Sequence, residues 1–248
     1  MLNNKIVLIT GASKGMGASH ARICAAYGAV VVLADLDPAG HEVAEIINVS
    51  GGCAVFYELD VSCSSSWRSL IEKVIADYGR LDGLVNNAGV VLSKSVEEIT
   101  AQELDLIIDV NIKGTFFGCQ HALPALKLSK AGVIVNISSI SGVVANLPGL
   151  SAYCATKGAV RLFTKAVAVD YAGYGIRVNS VHPGTIETPM VAKYLEDAEA
   201  EKLLVNASIL KRVGQASEVS EAVAFLLSDK SSYMTGAELV VDGGVTAQ

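Results

Sequence analysis

Residues Lys5–Gly17 read KIVLITGASKGMG: a short β-branched run, a glycine-rich loop and the start of a helix. Lys5–Thr10 has the composition of a buried strand, and Met16–Tyr27 that of a helix. Between them, Gly11, Gly15 and Gly17 of Thr10–Gly17 (TGASKGMG) permit a tight turn. They also let an anionic group approach the backbone at the helix N-terminus. The spacing GxxxGxG is neither the GxGxxG dinucleotide fingerprint nor the GxxxxGKS/T phosphate loop, because Lys14 precedes Gly15 rather than following the last glycine. A glycine-rich strand–helix turn without a ligand is the competing reading.

Outward from this loop the same alternation repeats. Strands are expected at Ala29–Ala34, Ala54–Glu58, Leu84–Asn86, Gly132–Ile137, Arg177–His182 and Glu238–Val241. Helices are expected at Ala39–Val49, Trp67–Tyr78, Gln102–Leu126, Ala152–Tyr171 and Glu218–Leu227, with a less regular, mostly helical stretch at Met190–Leu210. Gly28 suits a helix stop, Thr100–Glu103 (TAQE) a capping box, and Pro183–Gly184 a strand end. Continuous apolar strands separated by long helices imply a parallel sheet covered on both faces. The expected class is α/β: one Rossmann-like, doubly wound domain over residues 1–248, with about seven parallel strands and helices on both faces.

Half the chain is apolar, at 51%, enough for a substantial core, and the formal charge of −6 argues against a nucleic-acid or anionic-membrane surface. Apolar stretches such as Ala29–Ala34 are too short to span a bilayer. Cys24, Cys53, Cys63, Cys119 and Cys154 form no CxxC or metal spacing, and no leader pattern opens the chain. Reduced thiols and a cytoplasmic location are expected. None of His20, His41, His121 and His182 sits in a ligand arrangement, so no catalytic metal is expected. His182 and Trp67 are read as structural, and Cys154 as a small apolar side chain.

Two further features point to redox chemistry. Asp35 ends the second strand 18 residues after Gly17, where a carboxylate can accept hydrogen bonds from an adenosine ribose and repel a 2′-phosphate. Leu36 offers no cation to such a phosphate, although Lys14 could. NAD is therefore expected over NADP. Asp60–Val61 ends the third strand, where the adenine edge would pass. Tyr153 and Lys157, within Ser151–Lys157 (SAYCATK), share one helix face at a spacing of four. A nearby ammonium favours a phenolate, so the pair suits proton transfer in alcohol–ketone interconversion.

With these residues placed, the chain resembles the short-chain dehydrogenase/reductase family over essentially its whole length. The resemblance rests on TGxxxGxG at Thr10–Gly17, NNAG at Asn86–Gly89, Asn111 in NIKG, Ser138–Ser139, YxxxK at Tyr153–Lys157, PG at Pro183–Gly184 and the closing GAELVVDGG at Gly236–Gly244. It implies a catalytic tetrad of Asn111, Ser139, Tyr153 and Lys157. Tyr153 would exchange the proton with the substrate oxygen, and Ser139 would hold that oxygen. Lys157 would bind the nicotinamide ribose and lower the pKa of Tyr153, and Asn111 would position a water behind Lys157. It also implies cofactor contacts from Thr10, Gly11, Ser13, Lys14, Gly15, Met16, Gly17, Asn87, Ala88, Gly89, Pro183 and Gly184, from Thr188 and from the backbone of Ile186. Ser139 precedes Tyr153 by one residue more than is common in the family, which leaves Ser138 and Ser141 as rivals.

The substrate pocket is expected around a loop at about residues 188–210, the 90–93 stretch and the loop after Ser139. Its expected walls, Ser139, Val143, Val144, Leu147, Leu150, Met190, Val191 and Tyr194, carry no cation for a carboxylate. A hydrophobic cyclic or steroid-like secondary alcohol is therefore the expected small-molecule partner, as in the family's hydroxysteroid and alicyclic alcohol dehydrogenases. An NADPH-dependent 3-oxoacyl-carrier-protein reductase is the runner-up, disfavoured by Asp35 and by the acidic run Glu196–Glu201. A non-catalytic NAD-binding protein is a third reading, disfavoured by the intact tetrad. Surplus apolar and small residues on the two long helices, among them Ala155, Ala159, Phe163, Val167 and Tyr171, imply burial by self-association, and the family resemblance implies that this is a homotetramer, with a dimer as the rival.

Overall fold

The computed structural model describes residues 1–129, 131–145, 147–192 and 196–248. Its first unit follows directly from Lys5–Gly17: β1 (Ile6–Thr10) is buried throughout, and α1 (Gly15–Ala26) leaves it through a loop in which Gly11 and Gly15 adopt φ of 63° and 56°. Gly28, at φ 91°, then turns the chain into β2 (Val30–Asp35).

The alternation continues with α2 (Gly40–Val49), β3 (Cys53–Glu58), α3 (Ser64–Tyr78), β4 (Gly83–Asn86), α4 (Ala101–Ile108) and α5 (Gly114–Lys127). Next come β5 (Val133–Ile137), α6 (Ser151–Tyr171), β6 (Arg177–Pro183), β7 (Ile186–Glu187), α7 (Ala198–Ala207), β8 (Gly214–Gln215), α8 (Ala216–Leu227) and β9 (Glu238–Val241). Seven strands form one sheet in the order β3-β2-β1-β4-β5-β6-β9, every neighbouring pair parallel. All seven strands read from the sequence are in it. The short β7 and β8 pair separately, a detail invisible in two-residue segments.

Both faces of the sheet are covered. On one, Val7, Ile9, Val31 and Leu33 pack with α1 and α8; on the other, Leu8, Val32, Leu84 and Ile134 pack with α3, α5 and α6. Trp67 is fully buried in the second cluster, and its indole N–H donates to Val61 O at 3.0 Å. Burial on both faces explains why the strands read as continuous apolar runs. Among the described residues, no helix is long and apolar enough to cross a membrane.

The helical region read as continuous over Gln102–Leu126 is divided. The Thr100–Glu103 capping box opens α4 as expected, but Asp109–Lys113 forms a π-helical turn before α5 begins. Asn111 sits in that turn and is 1% exposed. A single wide turn of this kind is rare and is frequently found at functional sites.

Candidate active site

The strand order reverses direction about β1 and β4, and the crevice outside the carboxyl ends of these strands is where a doubly wound sheet binds its ligand. The residues selected from the sequence follow those strand ends: Gly11–Gly17 after β1, Asp35 on β2, Asp60 after β3, Asn87–Gly89 after β4, and Ser138–Ser139 after β5.

A cleft of about 580 Å³ opens there. Of the expected cofactor residues, Gly11, Lys14, Gly15, Met16, Asp35, Leu36, Asp60, Val61, Asn87, Ala88, Gly89 and Thr188 line it. Thr10, Ser13 and Gly17 instead support its wall. The Thr10 hydroxyl accepts from the backbone N–H groups of Asn87 and Ala88 at 3.0 Å. The Ser13 hydroxyl donates to Asp37 O at 2.7 Å. A Cβ on Gly17 would overlap the Gly11 carbonyl oxygen, and one on Gly11 would lie 2.8 Å from Ala88 Cα. Loop and strand end are thus in backbone contact.

The first turn of α1 has no side-chain cap and no acidic residue. Its N–H groups and the positive end of the helix dipole face the cleft, which suits an anion such as a pyrophosphate. At the other end of the cleft, Asp35 accepts from the backbone N–H of Ser13 at 2.9 Å and of Asp37 at 3.0 Å. These bonds fix its carboxylate at the rim and leave further lone pairs for a diol. Lys14, the residue that could have favoured a 2′-phosphate, lies 3.5 Å from Asp37 Oδ2. The role of Asp37 was not legible in the sequence, because nothing there placed it beside the loop.

A second cavity, of about 350 Å³, meets the first at Met16, Val91, Thr188 and Met190. Ser139, Leu147, Leu150, Met190 and Val191 line it, as do Tyr153, Pro183, Gly184 and Ile186. Val143 and Val144 do not. The short 3₁₀ turn Ile140–Gly142 closes with Val143 N and Val144 N both bonded to Ile140 O at 2.8 Å, and the chain then leads away with Val144 38% exposed. Tyr194 lies outside the described residues. The walls that sequence reasoning named only by stretch are Val91, Ser93, Pro148, Leu203 and Leu204; Met16 was not anticipated there.

The two serines differ in partners. Ser138 Oγ donates to Lys157 O at 2.8 Å, so its proton is engaged in holding the helix. Ser139 Oγ instead accepts from Ser141 N at 3.1 Å and lines the cavity together with Tyr153. His182 is fully buried, with Nδ1 3.1 Å from Ser139 O and Nε2 2.8 Å from Ser180 Oγ, so it braces the serine rather than facing the cleft.

Lys157 is 4% exposed and donates to Ile137 O at 2.9 Å, with its Nζ 5.6 Å from the Tyr153 ring centre. Burial pushes its ammonium down to about 8. Tyr153 is pushed up to about 12 by burial, opposed by the hydrogen bond with Ser139. Desolvation is the first cause of the Tyr153 shift, and the Lys157 ammonium is turned toward the β5 carbonyl. Asn111 is held by three bonds, accepting from Val90 N at 2.8 Å and donating to Val90 O at 2.9 Å and Thr156 Oγ1 at 3.1 Å. A Cβ on Gly89 would lie 3.3 Å from Asn111 Oδ1 and 3.4 Å from Lys157 Nζ, so both groups border the same small space.

The sequence pattern of a family described as enoyl-(acyl carrier protein) reductase matches residues 11–246. The chain belongs to the short-chain dehydrogenase/reductase family, whose members are oxidoreductases built on an NAD(P)-binding Rossmann-like fold. It is 45% identical to a cyclopentanol dehydrogenase of a Comamonas species over 99% of this chain and 98% of that one. It is 40% identical to a 3-alpha-(or 20-beta)-hydroxysteroid dehydrogenase of Mycobacterium tuberculosis over 99% of this chain and 91% of that one. A solved short-chain type dehydrogenase/reductase from Mycobacterium marinum superposes with a TM-score of 0.95 at 36% identity, covering 100% of this chain and 97% of that one.

Proposed function

We propose that the protein interconverts a hydrophobic cyclic or steroid-like secondary alcohol and its ketone, with NAD as the redox partner. The observation that carries this reading is the junction of the two cavities: Tyr153 and Ser139 stand in an apolar chamber that opens directly onto the glycine-loop cleft. The cleft fits a dinucleotide. Gly11 and Gly17 leave no room for a side chain, the first turn of α1 lacks a cap, and Asp35 is fixed at the far rim. Residues 11–17 would hold the pyrophosphate, Asp35 the adenosine ribose, and Thr188 and Lys157 the nicotinamide end. Nicotinamide, when bound, supplies or accepts the hydride.

The remaining chemistry is the chain's own. Ser139, with its oxygen already accepting from Ser141 N, donates to the substrate oxygen and orients it. Tyr153 carries the proton to or from that oxygen. Asn111 and Lys157, bordering one space behind Gly89, are placed to pass the proton onward. Ser139 is assigned over Ser138 because Ser138 is engaged with Lys157 O.

NAD is preferred to NADP because Asp35 stands at the rim, Leu36 beside it is 59% exposed and uncharged, and Lys14 already faces Asp37. The cyclopentanol and hydroxysteroid dehydrogenases among its relatives support a cyclic substrate, as do the apolar walls. A carrier-protein substrate is disfavoured by the acidic start of α7, Glu199 and Glu201 capped by Asp197.

Self-association as a homotetramer belongs to the same proposal, although not through every residue first selected: Val167 lies in the core. The outer faces of α4, α5 and α6 expose Leu104, Leu106, Phe116, Leu162 and Val169. Paired across a two-fold axis, these would form one interface, and the β9 edge with Val240 a second. Scattered cysteines without a disulfide suit a cytoplasmic enzyme. The test is a cofactor-reduction screen with NAD and NADP against alicyclic alcohols, hydroxysteroids, short acyclic alcohols and 3-hydroxyacyl thioesters. Higher kcat/KM with NADP, or activity confined to thioesters, would overturn the assignment.

A further inference from the structure

Thr156 stands between the paired residues of α6, three places after Tyr153 and one before Lys157. It is 1% exposed and belongs to the walls of neither the cleft nor the apolar cavity. Its hydroxyl nevertheless joins two parts of the candidate site. Oγ1 donates to Tyr153 O at 2.9 Å, a direction fixed by chemistry, since a carbonyl oxygen only accepts. A hydroxyl has one hydrogen. What Thr156 offers to Asn111 Nδ2, 3.1 Å away, is therefore a lone pair.

The other side of that bond is equally settled. The Val90 N–H can only donate, and it meets Asn111 Oδ1 at 2.8 Å. The amide cannot then be turned round, and its two hydrogens go to Val90 O at 2.9 Å and to Thr156 Oγ1. The main-chain carbonyl of Asn111 is engaged as well, accepting from Thr115 Oγ1 at 2.9 Å. Asn111 is itself 1% exposed, so water would not readily replace a lost partner. Removing the threonine hydroxyl would leave a buried N–H unbonded and the amide held only by Val90. Asn111 Oδ1 borders the small space behind Gly89 that Lys157 Nζ also borders, so a loosened amide would disturb that space first.

We infer that Thr156 is a positioning residue for the proton path: it fixes how the Asn111 amide is turned, by tying it to the backbone of the turn that carries Tyr153. The inference rests on reading Tyr153, Lys157 and Asn111 as the groups that handle the proton. Thr156 exchanges no proton with the substrate and acts only through its neighbours.

The test separates the hydroxyl from the shape that carries it. Thr156→Val keeps the shape and loses the hydroxyl, whereas Thr156→Ser keeps the hydroxyl and gives up a methyl group. With NAD and cyclopentanol as the probe alcohol, Thr156→Val should lower kcat about tenfold, the scale of one buried hydrogen bond. Thr156→Ser should stay within about threefold of wild type. NADH affinity should change less than about threefold in both, which reports an intact cleft. The solvent deuterium isotope effect on kcat should rise in Thr156→Val alone, because proton movement is the step impaired. On an Asn111→Ala background, Thr156→Val should cost less than about twofold more, since the bond it removes is already gone. Equal kcat for the valine and serine variants, or a full tenfold loss on the Asn111→Ala background, would overturn the assignment. Should Thr156→Val not fold, Thr156→Ala takes its place against Thr156→Ser, with the same outcomes deciding. A wild-type protein that binds NADH but oxidises no alcohol would overturn the reading of the site and this role with it, and the wild-type assay alone identifies that case.

Discussion

The dinucleotide cleft and the apolar cavity share Met16, Val91, Thr188 and Met190, but they are constructed differently. In the cleft, the atoms that a new side chain would strike are main-chain: the Gly11 carbonyl for Gly17 and Ala88 Cα for Gly11. On the α7 side of the cavity the neighbours are side-chain tips. A Cβ on Gly214, which lies behind Ile186 of the cavity wall, meets Ile186 Cδ1 at 2.7 Å, and α7, which supplies Leu203 and Leu204, has no fully buried residue. Backbone cannot yield without moving a strand, whereas a side-chain tip can rotate. One half of the site is thus held by the sheet, and the other can be re-shaped by ordinary substitution. Relatives named for cyclopentanol and for a hydroxysteroid fit this division.

The sharpest way to break that comparison lies at the junction. Tyr153→Phe should lower kcat by about 10³-fold or more, in the range ascribed to a positioned acid–base group, while NADH affinity changes only a few-fold. Stopped-flow titration beside steady-state assays separates the two, and a parallel loss of affinity would mean that Tyr153 serves binding. The matched pair Gly17→Ala and Gly214→Ala comes next. The first should weaken NADH binding by about a hundredfold, equivalent to some 2–3 kcal/mol, while the second stays within about threefold. Similar losses in both would erase the distinction between the two halves.

Cofactor choice should respond to Asp35→Ser with Leu36→Arg. The ratio of kcat/KM for NADP over NAD should rise by about 10–100-fold, because a repulsion is removed and a phosphate partner added. On the cavity side the effects should be smaller. Leu203→Ala should change kcat/KM for a monocyclic alcohol by about fivefold and leave NADH affinity as it was, since only a yielding wall has moved.

The pH profiles should differ by direction. In the proposed mechanism oxidation needs Tyr153 to give up its proton, and burial holds that group up to about 12, so oxidation should accelerate as pH rises through the neutral range. Reduction by the same proposed mechanism needs the proton in place and should hold steady until Lys157, pushed down to about 8, loses its charge. A reduction rate that climbs with pH above neutrality would contradict both roles.

Much of this was legible in the chain because its signals are local. Seven apolar runs became seven parallel strands, and a Tyr–Lys pair at helical spacing became a pair on α6. What escaped depends on distance. The Lys14–Asp37 approach, the direction of Ser138 against Ser139 and the turning aside of Val143 and Val144 are settled by which group each meets in the folded chain. Spacing announces that a lysine is near Tyr153, but not that its ammonium donates to the carbonyl of Ile137.

The wide turn at Asp109–Lys113 takes up one residue more than a regular turn. In a regular helix each residue turns the next by about 100°. Deleting one residue from this turn would restore regular winding and leave α5 nearly in phase with α4, but it would carry residue 111 out of the bulge. Asn111 would then lose Val90 and Thr156 together, while the apolar stripe of α5 kept its face. No substitution at residue 111 reproduces such an error. A length of chain, rather than any side chain, is what keeps the asparagine in register with the lysine across from it.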